Sequence, residues 1–290
     1  MCYCMINKIH QIWFQGERNA PPELQEFSRK WKKTNHGYLH RVWEEKSMDT
    51  FIREHYPNYY SRYRNFPHMI QKIDFFKYAV LNIEGGFYID MDVECLKPID
   101  LPDKYKQSDF IASRNPTMAH ENLVLAGMTE FYNNAVLYSS TESPILKSLI
   151  KRAFKYDCMG IKKTECVFFT TGPIIYSRII DKFKHSKLKI NIIPSAYFEP
   201  VWMPRFNTID TYINKFNKQQ IGEHKFNASW SENTPILKIV FIIYIHIRYL
   251  LPFIMTYSYI YYRRVVCIFM MLYAIAVAVI KLYICYKLNL

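Results

Sequence analysis

The chain has 290 residues, half of them hydrophobic and 17% aromatic, with a formal net charge of +13. That apolar content supplies one generous core or two small ones and excludes a disordered chain. No Lys/Arg block marks a nucleic-acid-binding tail, and the seven scattered cysteines show neither CxxC pairs nor Cys/His zinc spacing, so neither partner is expected.

In chain order, the opening stretch MCYCMINKIHQIWF lacks the basic flank and long apolar run of a secretory leader. KIHQIWF (8–14) reads as a strand, and PPELQEFSRKW (21–31) as a helix with proline at its start. YLHRVWE (38–44) reads as a second strand, followed by helices at 47–56 and 68–84. In the latter helix Ile70, Ile73, Phe76, Val80 and Ile83 recur at three-to-four spacing, with Gly85 as its stop. Strands are expected at 86–93, 108–113, 135–139 and 189–193, with helices at 144–155 and 173–183 between them. Alternation of this kind predicts an α/β domain with a largely parallel sheet, whose ligands sit beyond the carboxyl ends of the strands.

From Ile236 the composition turns apolar and stays so to the end. VVCIFMMLYAIAVAVI (265–280) carries no charge and runs past Lys281 into LYICY, about the ~20 residues that cross a bilayer. The preceding 236–262 holds His246, Arg248 and Pro252, which leaves a second span and a helix lying in the interface both open. The chain therefore divides into an α/β domain, 1–234, and a membrane anchor of one or two helices, 235–290. For two spans, Arg263-Arg264 and the absent leader point to opposite orientations; for one span they agree. The scattered cysteines argue against a disulfide framework and lean toward a reducing compartment.

The chemistry concentrates in GGFYIDMDVEC (85–95). In an extended chain Phe87, Ile89, Met91 and Val93 share one face, and Tyr88, Asp90, Asp92 and Glu94 the other. Carboxylates two apart on one face repel each other unless a cation lies between them, and a hard divalent ion with oxygen ligands fits that need. DxD is short and also fits a solvated strand face. Its setting adds weight, because the pair follows a Gly-Gly turn and a helix carrying Asp74 and Lys77 three residues apart on one face. That second pair also reads as a surface ion pair. Glu94 is expected to face solvent just past the site.

KIHQIWFQG followed by DFFKYAVLNIEGGFYIDMDVECLKPID resembles the DxD sugar-binding region of glycosyltransferase family 32, which includes the Och1-like and inositol-phosphorylceramide mannosyltransferases. The likeness continues through NNAVLYSS, TGPIIYSR and GEHKFNASW, over roughly residues 6–231. It implies a GT-A fold, a nucleotide-sugar donor held through Mn²⁺ or Mg²⁺, and transfer with retention. By that similarity Asp92 ligates the metal, Asp90 faces ribose and metal, and Asp74 contacts the donor sugar. Trp13 stacks on the base, unless it is a core tryptophan, and Tyr88 lies near the ribose, unless it only packs. Lys77 stands where relatives usually carry arginine, so a bidentate contact is not carried over. His224 and Ser229 are implied as further metal contacts and Trp230 as a lid over the phosphates, although Lys225 replaces a second histidine usual in relatives. Asn133 and Asn134 approach the sugar region. The Asn227-Ala-Ser sequon is a false positive if this segment faces the cytosol or lines the site. The implied partners are a nucleotide sugar (GDP-mannose or a UDP-hexose), a glycan or lipid acceptor, and a membrane of the endomembrane system. The alternative is a membrane protein that only binds a sugar nucleotide or a partner; a metal phosphodiesterase would need more His/Asp ligands than are grouped here.

Overall fold

The computed structural model describes residues 5–117, 122, 127–155, 158–201, 214 and 217–227. Ser229, Trp230 and the apolar tail, 235–290, lie outside the described residues, so the boundary at 234 and the proposed spans are not addressed by it. Among the described residues no helix is long and apolar enough to cross a membrane.

The strands are β1 (Lys8–Ile12), β2 (Leu39–Trp43), β3 (Gly86–Ile89), β4 (Val93–Cys95), β5 (Phe110–Arg114), β6 (Tyr132–Ser139), β7 (Ile190–Ile193) and β8 (Gly222–His224). The helices are α1 (Pro22–Thr34), α2 (Glu45–His55), α3 (Pro57–Arg64), α4 (Met69–Glu84), α5 (Asp103–Lys106), α6 (Pro144–Arg152), α7 (Lys163–Thr170) and α8 (Pro173–Phe183). Six strands form one sheet in the order β2-β1-β3-β6-β5-β7, and β4 pairs with β8 in a separate ribbon. The α/β expectation holds, but the sheet is mixed. β1 pairs in parallel with β2 and β3, as does β5 with β7, while β6 is antiparallel to both β3 and β5. The antiparallel β6 lies between β3 and β5, so the sheet is not built from parallel crossovers alone.

Both faces of the sheet are covered, which is why its strands read as continuous apolar runs. On one side Trp43, Phe75, Phe76, Tyr78, Phe110 and Tyr176 form the larger core under α2, α4, α6 and α8. On the other side Ile9, Trp31, Phe87, Ile89, Ile111 and Phe198 close against α1 and the β4–β8 ribbon. Side chains alternate between these cores along β3, with Tyr88 in the first and Phe87 and Ile89 in the second.

The turn from α4 into β3 positions everything that follows. α4 ends at Gly85, φ 65°, and Gly86 follows with φ 100°. A Cβ at Gly85 would stand 2.3 Å from Ile6 Cδ1, and one at Gly86 2.7 Å from the Lys8 carbonyl oxygen. Only glycine accepts both the left-handed backbone and this approach to β1. β3 then stops at Ile89 instead of continuing to 93, and Asp90–Asp92 form a turn before β4.

One expectation is corrected here. Cys158 and Cys166 are joined by a disulfide. Their spacing of eight residues carries no recognisable pattern, but the start of α7 folds back over the preceding loop and brings the sulfurs together.

Candidate active site

A cavity of about 680 Å³ opens at the sheet edge where β1, β3 and β5 end and β6 begins, the edge expected for ligands. Asp74, Lys77, Tyr88, Asp90, Asp92 and His224 line its inner end. The outer wall is apolar, with Ile70 and Ile73 of α4, Val167 and Phe168 of α7, and Ile174 of α8.

Asp90 and Asp92 sit in the turn after β3, with side chains 30% and 16% exposed. The backbone N–H of Asp90 donates to the Ala135 carbonyl at 2.8 Å, tying the turn to β6. The Tyr88 hydroxyl donates to Asp90 Oδ1 at 2.6 Å, so this tyrosine, 1% exposed, holds the carboxylate from beneath. Burial raises the Asp90 carboxyl above its ordinary range, with the Lys77 ammonium opposing that shift.

The Asp74–Lys77 pair is not at the surface. Both side chains are almost wholly buried, and Lys77 Nζ lies 3.1 Å from Asp74 Oδ1 and 3.5 Å from Asp90 Oδ1. It also donates to the Asn134 carbonyl at 3.3 Å and sits 4.5 Å from the centre of the Tyr88 ring. An ammonium has three donors, and these acceptors take all of them. Asp74 is equally occupied, receiving Asn134 Nδ2 on Oδ1 and Thr171 Oγ1 on Oδ2, each at 3.1 Å. Burial would discharge Lys77, but the Asp90 and Asp74 carboxylates outweigh it and raise its pKa.

The β4–β8 ribbon delivers the late segment GEHKFN. Val93 is opposite His224 in its register, which brings His224 Nε2 to 3.4 Å from Asp92 Oδ1. The Lys225 N–H donates to the Asp92 carbonyl and the Asn227 N–H to Asp92 Oδ2, each at 2.9 Å. Burial works against ionisation of Asp92, yet His224 and the Asn227 N–H hold its carboxyl below the ordinary value. For His224 burial acts downward, but the Asp92 and Glu199 carboxylates raise the imidazole to about 10. Asn227 lines the cavity, with its backbone N–H bound to Asp92.

Ligand atoms of Asp90, Asp92 and His224 lie within 4.8 Å of one another. Two carboxylates and one imidazole are a donor set that would suit a divalent cation. A cation takes His224 only as the neutral ring. Trp13, directly after β1, lines the same cavity half-buried, packs against the Met91 cluster, and has no hydrogen-bond partner for its indole N–H among the described residues.

Three further charged residues border the site. Glu94 does not stand free in solvent: its side chain is 19% exposed and paired with Lys30 at 2.7 Å and Lys225 at 3.0 Å. Lys225, at the position of the missing histidine, turns away from the cavity to Glu94 and Glu223. Glu199, which the sequence left unremarked, is wholly buried behind His224. An acid in a loop has no periodic signature, so no local signal could have found it.

Residues 21–121 match the family described as the glycosyltransferase sugar-binding region containing the DXD motif. The chain is similar to an uncharacterized glycosyltransferase, L373, of Acanthamoeba polyphaga mimivirus, 26% identical over 81% of this chain and 87% of that one. It is also similar to inositol phosphoceramide mannosyltransferase 1 of Schizosaccharomyces pombe, 26% identical over 58% of this chain and 49% of that one. The chain thus spans about half the length of that relative. Among solved structures, the catalytic domain of alpha-toxin from Clostridium novyi aligns with a TM-score of 0.46 and 12% identity, covering 83% of this chain and 82% of that one.

Proposed function

The chain carries the DXD sugar-binding region of the glycosyltransferases and is a glycosyltransferase, and from that premise we propose that it moves a hexose from a nucleotide-sugar donor, with a divalent metal and retention of configuration, to a glycan or glycolipid acceptor. GDP-mannose or a UDP-hexose is the proposed donor. The observation that carries this reading is the convergence of Asp90, Asp92 and His224 at the inner end of the cavity that Trp13 also lines.

In this reading Asp90, Asp92 and His224 hold the metal. When bound, it supplies a Lewis acid beside the diphosphate that departs from the sugar. The remaining work belongs to the chain. Tyr88 and Lys77 fix Asp90, and the N–H groups of Lys225 and Asn227 fix Asp92. The exposed face of Trp13 offers a stacking surface for the base. Asp74 keeps the buried ammonium in place and reaches the sugar only if a hydroxyl displaces Asn134 or Thr171 from it. No side chain is assigned as nucleophile; in a front-face transfer the departing phosphate would serve as base.

The segment from Ile236 is the proposed membrane anchor, on its apolar composition and length. The Cys158–Cys166 bridge supports an oxidising, lumenal setting for the domain, since such bridges are rare where thiols are kept reduced. To test the activity, detergent-solubilised protein is incubated with UDP- and GDP-sugars and Mn²⁺, and nucleotide release is measured. Release from one donor, abolished in Asp92→Asn, is the expected result; no release from any donor, or release that survives the substitution, sinks the reading.

A further inference from the structure

Glu199 is the buried acid that the proposed chemistry does not use. It is 0% exposed and does not line the cavity, so it touches no substrate. Burying a carboxylate costs several kcal/mol unless partners compensate. Here Asn133 Nδ2 donates to Glu199 Oε2 at 2.7 Å, and His224 Nδ1 lies 3.8 Å from the same oxygen. Among the described residues Glu199 Oε1 has no hydrogen-bond partner.

The backbone shows that this placement is built in. The Ile221 N–H donates to the Tyr197 carbonyl at 2.8 Å and the His224 N–H to the Phe198 carbonyl at 3.0 Å. The 197–199 segment is thereby laced to the strand that carries His224. Asn133 is oriented as well, because its Oδ1 accepts the Ala135 N–H at 3.2 Å. Its amide nitrogen is left facing Glu199 and, at 3.3 Å, His224 Nδ1. On the opposite edge of the ring Nε2 faces Asp92.

We infer that Glu199 is a positioning residue for the metal centre: its Oε2, 3.8 Å from His224 Nδ1 and just outside hydrogen-bond reach, closes on the Nδ1 proton when Nε2 turns its lone pair to a cation held with Asp90 and Asp92. A histidine ligand is directional only when its second nitrogen is fixed, and a carboxylate behind the ring does this while raising the basicity of the ligating nitrogen. Asn133 shares the task by gripping the acid.

This rests on the metal-dependent reading of the site, and its test is metal affinity, measured separately from turnover. The full-length protein in detergent is titrated with Mn²⁺ without donor, following the free-ion paramagnetic resonance signal. Glu199→Ala is expected to weaken binding roughly 10- to 100-fold. Glu199→Gln keeps the volume and an acceptor for Asn133 but loses the charge, and is expected to weaken binding roughly 10-fold with an unchanged thermal midpoint. At saturating Mn²⁺ its kcat returns toward wild type, which a general structural defect would not allow. Glu199→Gln with wild-type affinity overturns the inference, whether or not Glu199→Ala folds. A wild-type chain that binds no Mn²⁺ overturns both this inference and the metal reading. Mn²⁺ binding that depends on Glu199, without turnover of any nucleotide sugar, overturns only the transfer reading.

Discussion

Two lysine–carboxylate networks flank the DMD turn, and they differ in burial more than in chemistry. On the inner side Lys77 bridges Asp74 and Asp90, with the lysine 2% exposed. On the outer side Glu94 bridges Lys30 and Lys225, with side chains between 19% and 42% exposed. In low dielectric, an ion deprived of its partner keeps its full desolvation cost, whereas at the surface water takes over the lost contact. The inner network therefore makes the site rigid and dependent on each member, while the outer one mainly ties β4 and β8 to α1.

The sharpest test of that difference is Lys77→Met. It leaves the buried Asp74 and the part-exposed Asp90 without a cation, and a loss of about 3–5 kcal/mol is expected in denaturant unfolding. Adding Asp74→Asn to it removes one of the stranded charges, so the double variant is expected to lose less than the sum of the two single ones. Additive losses would mean that the two side chains are not coupled, and a loss under 1 kcal/mol for Lys77→Met would erase the contrast between the networks.

A buried titratable group with no carboxylate in contact gives an independent scale for burial. His10 Nε2–H donates to the Gly85 carbonyl at 3.0 Å, and its Nδ1 accepts the Trp43 indole N–H at 3.1 Å, which holds the ring neutral. Burial, mainly, lowers its pKa to about 4. Between that value and the unfolded value near 6.5, the unfolded chain binds a proton that the folded one does not. Stability therefore falls as pH drops through this window, by ~2.5 kcal/mol at pH 4.5 for this residue. His10→Gln is expected to flatten the acid limb of a stability–pH profile by that amount; an unchanged slope would mean that the interior at β1 is wetter than its packing implies.

The disulfide connects to the inner network through a short chain of contacts. Gln71 Nε2 lies 3.3 Å from Cys166 Sγ and donates to Thr170 Oγ1 at 2.9 Å, and the adjacent Thr171 donates to Asp74. Opening a loop of this size by Cys158→Ser is expected to cost roughly 2 kcal/mol. A fall in donor affinity beyond the stability loss would place the bridge in the support of Asp74. Stability unaffected by reductant in the wild type would show that the bridge contributes nothing.

What could be read from the sequence follows from how far apart the interacting residues lie. α4 and the Gly-Gly turn were legible because Ile70 to Ile83 repeat on one face and the stop is local. The DMD carboxylates were legible as charges that interrupt an apolar run. By contrast, α3 (PNYYSRYR) has no apolar period, and its helix is defined by Tyr63 packing into the larger core. The β4–β8 ribbon joins segments more than a hundred residues apart in strands of three residues, too short to alternate visibly. Asp74–Lys77 carried the right spacing, but nothing within the helix distinguishes a surface pair from a buried one. Asp90 decides it, sixteen residues on from Asp74 and brought back by the turn. Glu199 depends on the same kind of distant pairing, through the hydrogen bonds between 197–198 and 221–224.

The smallest expected effect lies in the outer network. Glu94→Gln removes the charge between Lys30 and Lys225 while keeping the β4 backbone pairing, and Lys225 retains Glu223 at 2.8 Å. Water reaches all of these groups, so the loss should stay below about 1 kcal/mol and shrink further in 0.5 M salt. Because Lys225 follows His224 directly, an activity loss without a stability loss would carry a separate meaning. It would show that the outer network fixes the backbone N–H groups around Asp92, so that a contact weak in folding energy still sets the geometry of the metal ligands. Unchanged activity together with a small stability change would leave the inner network as the only one of the two that the reaction requires.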